Sequence, residues 1–386
     1  MKRLIGLALA AALVLTGCTP AVDPADRAGA GAGERAGAGD PGDIVRSERI
    51  DAPAGARAWR VLYRSTDVGG AGIEVSGIVV APDSPAPDQG RPVVSWAHPT
   101  TGAGPDCAPS ATSDPLGSIP GLPALLDAGY VVAATDYPGM GADGPDSYLV
   151  GVSEGNSVVD AARAARALPA AGANAELLLW GHSQGGHAAL FAADDAARYA
   201  PELHLAAVAV AAPATDLAGL LDADLGGVAG VTISSYALDA YSTVYADRGV
   251  ELDAVLSPAG AAATPELAAL CLSGQESDLL RIASPLVGDF IATDPRTVPA
   301  WADALAENSP EPPTAAAVLF AQGDSDELID PASTRAFADR ACAAGGRVTY
   351  AALPGVGHGE AAFVAAEGVV DWFGRVTRGE PVPSGC

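Results

Sequence analysis

Short apolar runs punctuate the chain from about residue 57 onward, and their spacing sets the expected fold. The strand candidates are 58–64 (AWRVLYR), 73–81 (IEVSGIVVA), 93–97 (VVSWA), 130–135 (YVVAAT), 177–180 (LLLW), 206–211 (AAVAVA), 316–321 (AAVLFA) and 347–353 (RVTYAAL). The first two alternate apolar and polar positions, as a half-exposed antiparallel pair does. The later ones are solid apolar runs, the pattern of parallel strands covered on both faces. Ala-rich helical stretches such as 156–168 and 186–199 lie between them and predict right-handed crossovers. The expected class is therefore α/β, a mostly parallel central sheet flanked by helices.

One interval breaks this rhythm. Between Ala211 and Ala316 lie about a hundred residues with no comparable strand core. Structureless loops of that length are rare, so the interval predicts a helical insertion over 217–313, between core segments 44–216 and 314–386.

The first residues have a different pattern. Lys2 and Arg3 precede an uninterrupted apolar and glycine run, Leu4 to Leu15, of signal-peptide length and too short to span a bilayer. The run ends in Leu15-Thr16-Gly17-Cys18, which resembles a bacterial lipobox. The expectation is a signal peptide over 1–17 and a lipidated Cys18. Residues 18–43, nearly all Ala, Gly, Pro and Asp, then read as a flexible tether with a reach of roughly 25–30 Å. The chain would be exported and lipid-anchored to the outer face of the cell membrane or envelope, touching the membrane through Cys18 only.

Composition narrows the chemistry. The formal net charge is −26, and Lys2 is the only lysine. Nucleic acids and anionic lipid surfaces need clustered cations, so neither is expected as a partner. Without lysine, P-loop phosphate binding, Schiff-base catalysis and a Ser-x-x-Lys nucleophile also fall away. Export implies an oxidising compartment in which Cys107, Cys271, Cys342 and Cys386 pair, and four cysteines allow three pairings.

Gly181-His182-Ser183-Gln184-Gly185 fits the G-x-S-x-G nucleophile elbow of α/β-hydrolases. The pattern alone is weak in a chain with 46 glycines, and it occurs again at Gly151-Val152-Ser153-Glu154-Gly155. Context separates the two. Ser183 follows the apolar strand LLLW and precedes a helix-forming run, whereas Ser153 follows the turn-rich GADGPDS and reads as an N-cap. Ser183 is the expected nucleophile.

A serine needs a histidine to take its proton and a carboxylate to orient that histidine, in the chain order Ser, Asp or Glu, His. Of five histidines, only His358 lies late enough, in the loop PGVGHG after the last strand. His182 and His187 flank the elbow as packing or polar lining, and His204 is expected on a helix surface. Strand 316–321 runs into QGDSDELIDP, which offers Asp326 as the acid, with Asp324 and Asp330 as rivals and Asp216 a weaker one. The acidic cluster lacks the glycine and glutamate spacing of an EF-hand, and neither metal nor cofactor is expected. The oxyanion hole requires two backbone N–H groups: Gln184, and Thr100 or Thr101 from the loop HPTTG, where Pro99 has none.

From about residue 57 to 386 the chain resembles the secretory lipase family. The resemblance rests on SWAHPTTG, DCAPS at 106–110, ATDYPGMG at 134–141, YLVG at 148–151, VVDAARAAR at 158–166, WGHSQGG at 180–186, QGDSDELIDP and the His358 loop, in that order. It implies a cap inserted after the sixth strand, a Ser183–Asp326–His358 triad and hydrolysis of carboxylic esters, often acylglycerols. It also implies disulfides Cys107–Cys271 and Cys342–Cys386. Fungal members lack the lipobox, so tethering is a feature of this chain. The expected partner is an ester or lipid substrate, on a monomer. Two rivals use the same residues differently. One is a serine aminopeptidase, for which Asp222, Asp224 or Asp239 could hold a free amino terminus, or an acyltransferase. The other is a catalytically silent envelope binding protein.

Overall fold

A computed structural model of the chain describes residues 39–386 apart from Leu225, so the signal peptide, Cys18 and most of the tether lie outside the described residues. Nine strands form one sheet: β1 (Ile44–Ile50), β2 (Ala56–Thr66), β3 (Gly72–Pro82), β4 (Arg91–Ala97), β5 (Val131–Thr135), β6 (Ala173–His182), β7 (His204–Ala211), β8 (Ala317–Gly323) and β9 (Arg347–Leu353). Their order is β1-β2-β3-β5-β4-β6-β7-β8-β9. Pairings from β1 to β3, and of β3 with β5, are antiparallel; all later ones are parallel.

Alternation along the central strands sorts the core into two layers. Leu177, Leu179, Val208, Val210 and Phe320 face one side, under α2 (Gly151–Ala167), α3 (Gln184–Tyr199) and α9 (Pro331–Ala343). Leu178, Trp180, Ala207 and Ala209 face the other, under α1 (Leu122–Asp127) and α10 (Ala361–Thr377). Both faces are covered, which is why these strands read as unbroken apolar runs.

The interval between β7 and β8 holds α4 (Leu217–Asp224), α5 (Val228–Val244), α6 (Pro258–Ala268), α7 (Glu276–Ala283) and α8 (Pro299–Glu307). Among the described residues, no helix is long and apolar enough to cross a membrane. Cys107, in the loop after β4, is bonded to Cys271 after α6, and Cys342 of α9 is bonded to the C-terminal Cys386.

Four expectations need correction. Residues 39–43 do not belong to the tether: Gly42 donates its N–H to the Arg64 carbonyl, and Arg64 donates to Asp43, so ordered backbone begins before β1. β1 itself was not foreseen. It is a charged edge strand whose interior residues are all exposed, so it lacks the alternation that reveals a half-buried strand. His204 opens strand β7, exposed, and is not on a helix. Ser153 is no N-cap: α2 begins at Gly151, and the Ser153 hydroxyl accepts a hydrogen bond from Val68 N–H at 2.9 Å.

Candidate active site

Ser183 sits in the one-residue gap between β6 and α3, with φ 56° and ψ −118°. This is a left-handed conformation that a residue with a side chain adopts only at a cost of order 1–3 kcal/mol. Its neighbours explain why the turn closes. A Cβ on Gly181 would lie 2.0 Å from the Gly185 carbonyl oxygen, and one on Gly185 would lie 1.9 Å from that of Ala97. Only glycine fits at either position, which gives the G-x-S-x-G spacing its physical content. The glycines of the second match serve another purpose. A Cβ on Gly151 would strike the Phe191 ring at 2.3 Å, and one on Gly155 would come within 2.9 Å of Ala192 N, so they let α2 lie close against α3.

Ser183, His358 and Asp326 meet from three separate loops. His358 Nε2 lies 2.9 Å from Ser183 Oγ, and its Nδ1 lies 2.9 Å from Asp326 Oδ2. Asp326 is buried and accepts further bonds from Gln322 Nε2 at 3.0 Å and from the N–H groups of Leu328 and Ile329 at 3.0 and 2.8 Å. Burial alone would raise its carboxyl. The bond and charge of His358 and the two backbone amides outweigh burial and hold it below the ordinary carboxylate value.

The other candidate acids stand apart. Asp324 is exposed and accepts from Gly355 N–H at 2.6 Å, bracing the histidine loop. Asp330 caps α9 through Ala332 N–H, and Asp216 caps the start of α4 through Gly219 N–H. His182 Nε2 donates to the His358 carbonyl at 3.0 Å. Burial, then the neighbouring His358, holds His182 down at about 3, so it stays neutral.

Gln184 opens α3, where a helix leaves its first amides without intrahelical partners. Thr100 and Thr101 differ in place. Thr100 lines the cavity at Ser183, and its hydroxyl shares a 2.6 Å bond with Tyr148 OH. Thr101 turns away: its hydroxyl donates to the Cys107 carbonyl, and its own carbonyl accepts from Leu272 N–H.

That cavity is walled by both core and insertion: Leu149, Leu217, Ile233, Leu238, Tyr241 and Leu305 beside Ser183 and Gln184. No carboxylate lines it among the described residues. His358 itself lines a separate, open cleft, with Gly226, Gly227, Ser325, Glu327 and Gly357.

Sequence reasoning missed the groups that brace the HPTTG loop and the cavity wall. Tyr137 OH donates to the His98 carbonyl at 2.8 Å, and buried Asp136 accepts from the hydroxyls of Ser76 and Ser110, each at 2.5 Å. Both residues lie in ATDYPGMG, a block visible in the sequence whose partners, in β3 and before β5, are not.

Comparison with known proteins agrees with this architecture. The secretory lipase family model matches residues 120–284. A Mycobacterium tuberculosis protein named "Probable inactive lipase" is 26% identical, over 80% of this chain and 72% of that protein. Lipase 4 of Candida albicans is 29% identical over 49% of this chain, and the match spans less than half of that lipase, 47%. Among solved structures, the rice cell wall degrading esterase LipA of Xanthomonas oryzae has a TM-score of 0.73 at 20% identity, covering 89% of this chain and 100% of that one. Candida antarctica lipase A has a TM-score of 0.73 at 18% identity, covering 90% and 84%. Matches and sheet order together show a chain with the α/β-hydrolase fold that is similar, over residues 120–284, to the secretory lipase family.

Proposed function

We propose that the protein hydrolyses carboxylic esters with an apolar acyl group, through an acyl-enzyme on Ser183. The observation that carries this reading is the unbroken hydrogen-bond series Ser183–His358–Asp326 at the mouth of an apolar cavity. Ser183 Oγ attacks the ester carbonyl while His358 Nε2 takes its proton. Asp326 orients the imidazole and stabilises its cation. The N–H groups of Gln184 and Thr100 hold the oxyanion, helped by the positive end of α3. Thr100 is preferred to Thr101 because it lines the cavity at Ser183 and Thr101 does not.

The collapsing intermediate expels the alkoxide, which His358 protonates. The alcohol therefore leaves on the His358 side, toward the open cleft, and water enters to resolve the acyl-enzyme by the same route. The acyl group occupies the apolar cavity at Ser183. The helices between β7 and β8 act as the cap, since α4, α5 and α8 supply most of its apolar wall. An aminopeptidase would need a carboxylate in that wall for the substrate's amino terminus. Asp239 on α5 is half-buried and does not line the cavity.

The name of the mycobacterial relative favours one second reading, a protein of this fold without turnover. Against it, each position that the chemistry requires is filled in this chain. Export with anchoring through Cys18 rests on the leader residues, with the disulfides consistent with an oxidising compartment. The deciding experiment is hydrolysis of p-nitrophenyl esters from acetyl to palmitoyl by wild type and Ser183→Ala. Turnover that vanishes in the variant supports the assignment; equal rates in both, or none in folded wild type, reject it.

A further inference from the structure

Behind the elbow lies a polar cluster that the proposed acyl transfer does not use. Glu154, on α2, is completely buried, as is His187 on α3. Glu154 Oε1 accepts from Gln184 Nε2 at 2.6 Å and from Leu149 N–H at 2.9 Å, while Oε2 lies 3.1 Å from His187 Nδ1. His187 Nε2 lies 2.8 Å from the carbonyl oxygen of Asn308, at the end of α8. A carbonyl can only accept, so Nε2 bears a proton. Oε2 and Nδ1 lie within hydrogen-bond distance and need a second proton between them. The two side chains thus share one added proton and are neutral as a pair, which makes their burial tolerable.

The atoms they hold are telling. Gln184 is the residue whose backbone N–H faces the oxyanion in the proposed mechanism. Leu149 lines the acyl cavity with φ 56°, a strained backbone pinned at both ends, its N–H by Glu154 and its carbonyl by Tyr241 OH at 2.9 Å. Asn308 closes the circuit by accepting from Gly151 N–H through Oδ1 at 2.8 Å and donating to Tyr245 OH.

We propose that Glu154 and His187 are a positioning pair for the reaction, fixing the Gln184 amide and the Leu149 wall and coupling both to the cap through Asn308. The inference rests on Gln184 as oxyanion donor. Shape matters more than charge. In Glu154→Gln, the amide oxygen can keep both Oε1 bonds and its NH₂ can donate to a His187 that keeps its proton on Nε2 alone, so every bond survives. In Glu154→Ala, the Gln184 amide and Leu149 N–H lose their partner.

The test combines kinetics with a readout independent of turnover. In wild type, ¹⁵N shifts of His187 should report an Nδ1 that shares a proton with Glu154, and in Glu154→Gln an unprotonated Nδ1. Glu154→Gln should keep kcat within about threefold of wild type. Glu154→Ala should lose at least about thirtyfold in kcat with KM changed far less. Gln184→Leu should lose similarly, and adding Glu154→Ala to it should cost little more, since both cut the same link. Should Glu154→Ala not fold, the Gln184→Leu and Glu154→Gln kinetics and the ¹⁵N shifts still decide. Additive losses, equal losses in Glu154→Gln and Glu154→Ala, or a wild-type His187 whose Nδ1 shares no proton with Glu154 would overturn the pair. Absent turnover with that shared proton in place would reject the esterase reading and leave the pair standing.

Discussion

His182 and His358 are joined through backbone and ring: Nε2 of the first donates to the carbonyl of the second, and the rings lie 4.9 Å apart. The residue beside Ser183 therefore steadies the loop that carries His358, the general base of the proposed mechanism. Because burial holds His182 at about 3, it contributes no ionisation to the pH–rate profile near neutrality. Replacing it with Phe keeps a ring and removes the donor. Steady-state kinetics of His182→Phe should show kcat lowered by about tenfold, the value of one buried hydrogen bond, with KM within about twofold. An unchanged kcat would mean that the loop stands without it.

Asp326→Asn places an amide where His358 Nδ1 and Gln322 Nε2 both donate. The imidazole loses its orienting acceptor, and kcat should fall by about 10³–10⁴. Asp324→Asn retains an oxygen for Gly355 N–H and should cost less than about threefold. A larger loss in the second variant would move the acid to Asp324.

Ser183 is strained where glycine would be at ease. Ser183→Gly should abolish turnover yet melt higher than Ser183→Ala, because the φ 56° backbone costs Ala about 1–3 kcal/mol and Gly little. Thermal denaturation of the two inactive variants checks this without any substrate.

Asp146, beside Tyr148, is pushed up to about 7, first by burial and further by Asp239 across on α5. A carboxyl raised in the fold contributes stability that is complete below its unfolded value of 3.8 and is lost as the pH climbs through about 7. Asn at this position cannot ionise and can still accept from Tyr148 N–H. Asp146→Asn should match wild type near pH 4 and melt about 2–4 °C higher at pH 8.5. Equal melting temperatures at both pH values would show that the buried carboxylate carries no such cost.

Ile233 on α5 lines the cavity proposed to take the acyl group. Ile233→Trp should shorten it, lowering kcat/KM on palmitoyl esters by about tenfold or more while acetyl esters change less than about threefold. A uniform loss across chain lengths would place the acyl group elsewhere.

The central strands were legible because both sheet faces are covered, and the elbow because its glycines obey a hard steric limit. Ser183, His358 and Asp326 could be named from their order along the chain, since each follows a readable strand. What stayed hidden depends on contacts between distant segments. Glu154 looked like part of a decoy motif because its partners, Leu149, Gln184 and His187, converge only when α2 packs on α3. β1 stayed hidden because an exposed, charged edge strand has no apolar face to betray it. Thr100 and Thr101 could not be separated until the former was seen to line the cavity at Ser183.

The Cys107–Cys271 bond closes a covalent ring of chain that contains β5, β6, β7, Ser183 and helices α4, α5 and α6. Cutting one peptide bond anywhere inside that ring, for instance at the accessible Gly226-Gly227 turn, leaves a single covalent molecule. Proteolytic nicking of the cap would thus go unseen on a non-reducing gel and separate the chain into two pieces only once thiols are added. After such a cut the ring still ties the piece that carries Ser183 and Thr100 to the piece that carries Asp326 and His358.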